Sequence, residues 1–279
     1  MDADLRRLAD AVLLGSMYSY AAGVLYPAQA CKHAGIPVVA PPIGEPPVAP
    51  TGPGLGPAFS TSHPEPALDD ALGGREEQAH EFDRMSDQYA DLVAFFSVPI
   101  FDEALAVMRP WIDPAARVLD AGCGPGRELR QVAALVPRGE VVGIDLSAGM
   151  LQQAHRLARE QGVRNVAFMQ ANAAAPPAGF RGQFDLVFSC LAHHHYANPR
   201  AVSEAVASSL REGGIYCVVD PGPAWYNHLA EPLARWADPG FAGYHTPTQF
   251  ADLFRSAGFS RTSWFELLPG FGLAVGQKI

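Results

Sequence analysis

The segment Val118-Leu119-Asp120-Ala121-Gly122-Cys123-Gly124-Pro125-Gly126 constrains this chain more than any other. Residues of strand character run into three glycines at alternate positions, and Leu129, Val132, Ala133 and Val136 then mark one apolar face of a helix. Strand, tight glycine turn and helix in that order open a β-α-β unit. Glycines let the backbone pass close to a ligand, and helix N-terminal N–H groups there favour a negative group. Taken alone, the turn names no ligand, because many nucleotide-binding sheets carry one.

The alternation continues downstream. Arg117–Ala121, Val141–Asp145, Asn165–Ala171, Phe184–Ser189 and Ile215–Val219 read as five successive strands. Ser147 is expected to cap a helix that turns Met150, Leu151, Ala154, Leu157 and Ala158 inward. Asn198-Pro199 opens another, lined by Ala201, Val202, Ala205, Val206 and Leu210 and expected to stop at Gly213-Gly214. Thr246-Pro247-Thr248-Gln249 has capping-box spacing ahead of Phe250, Leu253, Phe254 and Ala257, with Gly258 ending the helix. Segments near Ser263–Leu267 and Phe271–Val275 close as a hairpin. The expected class is α/β: a Rossmann-like, doubly wound, mostly parallel seven-stranded sheet with a C-terminal antiparallel hairpin and an N-terminal helical extension.

Three regions are expected along the 279 residues: an apolar helical segment over 1–35, a Pro/Gly-rich linker or extended strap over 36–74, and the main α/β domain over 75–279. Ten prolines between Ile36 and Pro66 exclude a helix or central strand there. Ala11 to Cys31 carries no charge, follows Arg6 and Arg7 and ends in Ala28-Gln29-Ala30, as an export signal does. Asp2, Asp4, the glycine and serine breaks and three tyrosines argue instead for a helix that docks on the main domain or on a second subunit, giving a homodimer. The same breaks leave it weakly hydrophobic for a membrane span. A net charge of −9 without a basic run disfavours a nucleic-acid partner. Cys31, Cys123, Cys190 and Cys217 form no C-x-x-C pair, a usage that fits the reducing cytoplasm.

Asp145 ends the second strand at about the distance where an acidic residue in this architecture meets ribose hydroxyls, and a carboxylate offers acceptors for both. Asp120 tips the first strand and can accept from a cationic amino group or order the loop; a buried structural Asp serving loop amides is the plainer reading.

With these residues in hand the sequence resembles the class I methyltransferases of the small-molecule and quinone type. The likeness rests on Val118–Gly126, Gly143-Ile144-Asp145-Leu146-Ser147, Phe184–Ser189 and Leu210-Arg211-Glu212-Gly213-Gly214, in the family's order across some two hundred residues. It implies S-adenosylmethionine as cofactor, contacted by Tyr89, Asp120, Ala121, Gly122, Cys123, Gly124, Gly126, Asp145, Leu146, Met150, Asn172, Ala173 and Ser189. Tyr89 belongs to a stretch, Glu81–Tyr89, that looks like the family's leading helix, whose tyrosine closes over the cofactor. Asn172 stands where the family usually has an acidic residue near the adenine; its amide both donates and accepts.

His193, His194 and His195 follow the fourth strand, at the sheet edge where such folds bind ligands. The family's frequent His-His pair matches His194 and His195, while His193 replaces an apolar residue. A neutral imidazole can take a proton from an attacking hydroxyl, so the three are the catalytic candidates; the alternative is that they shape the loop. His228 and His245 are further proton-transfer candidates. Cys190, three residues before His193, raises a zinc site, but adjacent histidines on a short loop rarely converge on one ion, and no metal is expected. Aromatic residues in 223–228 and 236–244 suit a lid over an apolar acceptor, and ordinary surface-loop packing accounts for them equally.

The expected function is S-adenosylmethionine-dependent methyl transfer to an oxygen, carbon or nitrogen of a small, apolar or aromatic, natural-product-like molecule. Two alternatives stand beside it: a cyclase or isomerase that uses the cofactor without transferring methyl, and an interaction protein that only senses the nucleotide.

Overall fold

The strand entering the glycine turn, β2 (Arg117–Ala121), is buried at all five positions because it lies inside a sheet covered on both faces. The computed structural model describes residues 43–48, 97–222, 231–232, 235 and 240–279. The proposed N-terminal helix and its dimer contact, the region boundaries near 35 and 74, Tyr89 with its helix, and His228 lie outside the described residues. In chain order the elements are β1 (Ile43–Gly44), a helix α1 over 97–108, β2, α2 (Arg127–Leu135), β3 (Glu140–Asp145), α3 (Ala148–Glu160) and β4 (Val166–Gln170). They continue with β5 (Phe184–Cys190), α4 (Pro199–Ser209), β6 (Leu210–Pro221), α5 (Pro247–Ser256), β7 (Arg261–Leu268) and β8 (Phe271–Gln277).

One sheet runs β1-β7-β8-β6-β5-β2-β3-β4. β4, β3, β2, β5 and β6 are parallel, and β8 and β7 return antiparallel as the expected hairpin. Strand order reverses between β2 and β5, the switch point outside which open α/β sheets bind ligands. Alternate residues of each strand feed two cores. Val118, Leu186, Ile215, Cys217 and Val219 pack under Ile100, Phe101, Leu129, Val132, Leu151 and Ala154, from α1, α2 and α3. Leu119, Val187, Tyr216 and Val218 pack under Val202, Val206, Phe250 and Phe254, from α4 and α5. Truncating one such side chain, Leu129→Ala for instance, costs about 2–5 kcal/mol.

Helix starts follow the sequence. Ser147 Oγ accepts from Met150 N at 3.0 Å, Asn198 Oδ1 from Ala201 N at 3.0 Å, and Thr246 with Gln249 closes a capping box. Two expectations change. The sheet has eight strands, since Ile43–Gly44 of the proline-rich stretch pairs antiparallel with Trp264 and Ser263 of β7; proline bars a central strand but not a two-residue edge. Gly213-Gly214 does not stop α4, which ends at Ser209 as Leu210 turns extended and pairs with Phe184. The glycines lie within β6, where Gly213 (φ +77°) donates to the Lys278 carbonyl.

Gln277 holds the strap: its Oε1 accepts from Val48 N and its Nε2 donates to the Val48 carbonyl, both at 3.0 Å. The N-terminal edge of the sheet is pinned by charge, with Arg117 bonded to Glu140 and Gln183 and Asp185 paired with Arg211. That leaves the opposite edge to the loops that carry chemistry.

Candidate active site

Gly122, Gly124 and Gly126 have φ of +76°, +49° and +70°, a region that strains any other residue. Gly122 N and Cys123 N donate to the Ile144 carbonyl at 2.8 and 3.0 Å, drawing the turn onto β3. The three glycines face different surroundings. A Cβ at Gly122 would lie 2.8 Å from Ala192 Cβ, and one at Gly126 3.1 Å from the Phe168 ring, but one at Gly124 would meet nothing within 4 Å. Gly122 and Gly126 serve packing, and Gly124 fronts open space.

Three carboxyl groups surround this turn. Asp145 Oδ2 accepts from Gly124 N at 2.8 Å and Oδ1 from Ser147 N at 2.9 Å. Asp120 is 2% exposed; burial first, then the neighbouring Glu128 and Asp145, holds its carboxyl well above the usual range. Glu128 is buried in the first turn of α2. Such a site is suited to a ligand that brings positive charge. Burial, foremost, pushes the Cys123 and Cys190 thiols up, so neither is a reactive thiolate at neutral pH.

The other residues implied as cofactor contacts line the same edge. The Leu146 carbonyl accepts from Gln170 Nε2 at 2.8 Å, Met150 is buried beneath it in α3, and Asn172 Oδ1 accepts from Ala174 N at 2.9 Å in a turn that buries Ala173. Tyr196 donates its hydroxyl proton to the Ala121 carbonyl at 2.8 Å, so Ser189 Oγ, 3.1 Å away, donates in turn to the phenolic oxygen. That chain ties the loop after β5 to the tip of β2.

The three histidines form a single turn, His193–His195, after Leu191 (φ +51°), a left-handed conformation that costs a non-glycine residue about 1–2 kcal/mol. They point to different places. His193 is fully buried against Tyr196, His245 and Phe250, with neither ring nitrogen hydrogen-bonded among the described residues. Burial first, then His245 and His194, pushes its proton affinity well down. His195 is likewise lowered, chiefly by burial. His194 Nδ1 lies 2.7 Å from Asp220 Oδ1, beside the rings of Tyr244 and Phe241. Half-buried His245 is lowered by burial, partly offset by Asp220. Among the described residues no three His, Cys, Asp or Glu side chains are grouped to hold a metal, and no helix is long and apolar enough to cross a membrane.

Asp220 and Tyr196 were missed from sequence. A carboxylate at the C-terminal end of a parallel strand, Val219-Asp220-Pro221, is the same signal that singled out Asp145. Nothing comparable marks Tyr196, whose role depends on β5 and β2 being neighbours.

Comparison with known proteins agrees with this geometry. The sequence profile of a family described as a methyltransferase domain matches residues 112–249. The aklanonic acid methyltransferase DauC of a Streptomyces species is 36% identical over 115 residues, covering 40% of this chain and 50% of that one. A trans-aconitate 2-methyltransferase of Methylobacterium nodulans is 36% identical over 129 residues, covering 43% and 42%. The chain thus spans about half the length of the relatives it matches. The crystal structure of Bacillus subtilis YcgJ superposes with a TM-score of 0.52 at 25% identity, over 57% of this chain and 69% of that one. Sheet order, glycine turn and matched domain agree, and the chain belongs to the class I S-adenosylmethionine-dependent methyltransferase family.

Proposed function

We propose that this chain transfers the methyl group of S-adenosylmethionine to a small molecule seated over the C-terminal edge of the sheet. The observation that carries the reading is the open cradle at Gly124, whose N–H is bound to Asp145 while the buried carboxyl groups of Asp120 and Glu128 stand beside it. These residues fit a cationic nucleoside. Asp145 brings carboxylate oxygens of the kind that ribose hydroxyls donate to, Asp120 suits an ammonium group, and the Asn172 amide suits the adenine. Ala121, Gly122, Cys123, Gly126, Leu146, Met150, Ala173 and Ser189 complete the proposed pocket, with Tyr89 as its cover. Bound there, the cofactor supplies an electrophilic methyl group on a sulfonium whose sulfur keeps the bonding electrons.

The chain's own contribution is positioning, exclusion of water and one proton acceptor. His194 is proposed as that acceptor, with His193 and His195 shaping its surroundings. Phe241 and Tyr244 beside His194 favour an apolar or aromatic acceptor, and the name of the aklanonic acid methyltransferase is in keeping with a natural-product substrate. The catalytic domain is proposed to span 75–279, with 1–35 docking on it or on a second copy, in a cytoplasmic setting suited to free Cys123, Cys190 and Cys217.

Calorimetric titration of the full-length protein with S-adenosylmethionine and S-adenosylhomocysteine tests the site. Binding of both is expected, and binding of neither would overturn the reading. Product mass then separates transfer, which adds one methylene to the acceptor, from cofactor-assisted rearrangement, which adds nothing.

A further inference from the structure

We infer that Glu128 is a second carboxyl of the cofactor pocket, and that it and Asp120 admit a cationic ammonium group in exchange for one proton. This deepens the proposed S-adenosylmethionine site and rests on it. Strand register places the first of the two groups. Asp120 lies on the Val118 face of β2, the face that α1, α2 and α3 cover, and its cross-strand neighbours are Gly143 of β3 and Phe188 of β5. Neither neighbour has a side-chain donor. Glu128 follows the left-handed Gly126 by two residues, in the first turn of α2, and is the charged group that acts most strongly on Asp120.

Both carboxyls are out of water and without a partner. Asp120 is 2% exposed and Glu128 9%, and neither accepts a hydrogen bond or joins an ion pair among the described residues. Buried carboxylates are ordinarily paired, so these two are set for a donor that the fold does not supply. The groups facing them do not fill that role. Asp145 of β3 adds negative charge, while Cys123, Cys190 and Tyr196 are kept protonated, in each case chiefly by burial. The nearby cations, Arg127 and Arg130, belong to α2 itself, and neither pairs with Glu128. Gly124, where an added Cβ meets nothing within 4 Å, gives the pocket its opening.

Two neighbouring buried carboxyls with no cation between them do not both ionise at ordinary cost. The N-terminal end of α2 favours negative charge in its own first turn, so the proton falls to Asp120, the more deeply buried of the pair. An entering ammonium group supplies the missing cation. The Asp120 O–H bond then breaks, its electron pair stays on the carboxylate and the proton passes to solvent. Two carboxylates thereafter accept from the ammonium N–H donors. A neutral group in the same place drives no such exchange.

S-adenosylhomocysteine isolates the exchange, because it carries the ammonium group without the sulfonium. Calorimetry of the full-length protein from about pH 5 to about pH 8, in buffers of contrasting ionisation enthalpy, counts the protons released. About one per ligand is expected at the acid end, with affinity rising about tenfold per pH unit there. 5′-Methylthioadenosine, which lacks the amino-acid end, should bind without releasing a proton. Asp120→Asn should abolish the release. Glu128→Gln should keep it but level off the affinity at a lower pH, since the charge that holds the proton on Asp120 is gone. Affinity for 5′-methylthioadenosine reports the fold of each variant; should either not fold, the two ligands compared on the wild type decide. No proton released by S-adenosylhomocysteine, equal release by both ligands, or a levelling pH unmoved in Glu128→Gln overturns the exchange. Binding without proton release removes this inference and leaves the cofactor site standing, whereas no binding at all removes both.

Discussion

Gly124 donates its backbone N–H to the Asp145 carboxylate across 2.8 Å, so the glycine turn after β2 and the tip of β3 fix one another. Asp145→Ala removes both this bond and the one from Ser147 N. It is expected to weaken S-adenosylhomocysteine binding by about 1–3 kcal/mol, the usual loss for charged hydrogen bonds, and to lower the melting temperature as the turn loosens. Asp145→Asn keeps one acceptor and should fall between the two. Calorimetry and thermal melts on the three proteins check the order.

The glycines of the turn should separate folding from binding. In Gly122→Ala the new methyl would sit 2.8 Å from Ala192 Cβ and 3.2 Å from Tyr196 Oη at φ +76°, so the variant should be destabilised by clash and strain together. Gly124→Ala meets no neighbour within 4 Å and carries only the left-handed cost, about 1–2 kcal/mol. Its methyl, however, projects into the proposed cradle. Gly124→Ala should therefore melt well above Gly122→Ala and yet lose most cofactor affinity; retained affinity would place the ligand elsewhere.

Asp120 is expected to trade stability for binding. Its folded carboxyl titrates well above the unfolded value of about 3.9, chiefly through burial, so the folded state binds this proton more tightly than the unfolded state does. Stability must then fall as pH rises through that interval, and at neutral pH the buried carboxyl is a cost. Asp120→Asn should therefore stabilise the ligand-free protein at pH 7. The gain should shrink toward pH 4. The same change should weaken S-adenosylmethionine binding, because the carboxyl proposed to meet its ammonium group is gone. Denaturant titrations across pH, paired with calorimetry, test both signs.

How much of this was legible from sequence depends on how local each feature is. Strand and helix positions around Val118–Gly126 and the caps at Ser147, Asn198 and Thr246 follow from residues within a turn or two of one another, and the gathering of the glycine turn with Asp145 follows from the order of one β-α-β unit. The strap strand at Ile43–Gly44 was not legible, since its partners are more than two hundred residues away in β7 and Gln277. Nor was the outcome for the three histidines. Adjacent residues in a tight turn point in different directions, and only the packing of α5 and β6 assigns His193 to Phe250 and His194 to Asp220.

His193 supplies the pH dependence that distinguishes these neighbours. It is fully buried with neither ring nitrogen hydrogen-bonded among the described residues, and burial keeps it neutral well below the ordinary histidine range. In the unfolded chain the same ring charges as pH falls below about 6.5, so the unfolded state takes up a proton that the folded state refuses. The resulting loss of stability reaches about 1.4 kcal/mol per pH unit for each such histidine, and His195 adds its own share. His193→Leu removes one of these protons together with two unpartnered buried nitrogens. Unfolding by urea should show it more stable than wild type at pH 7.5, with the advantage growing by up to about 1.4 kcal/mol at pH 5.5, one unit below the unfolded midpoint. If the variant kept the full acid slope of the wild type, His193 would already be sharing that proton in the folded protein, and the base would have to be sought among all three histidines and not at His194 alone.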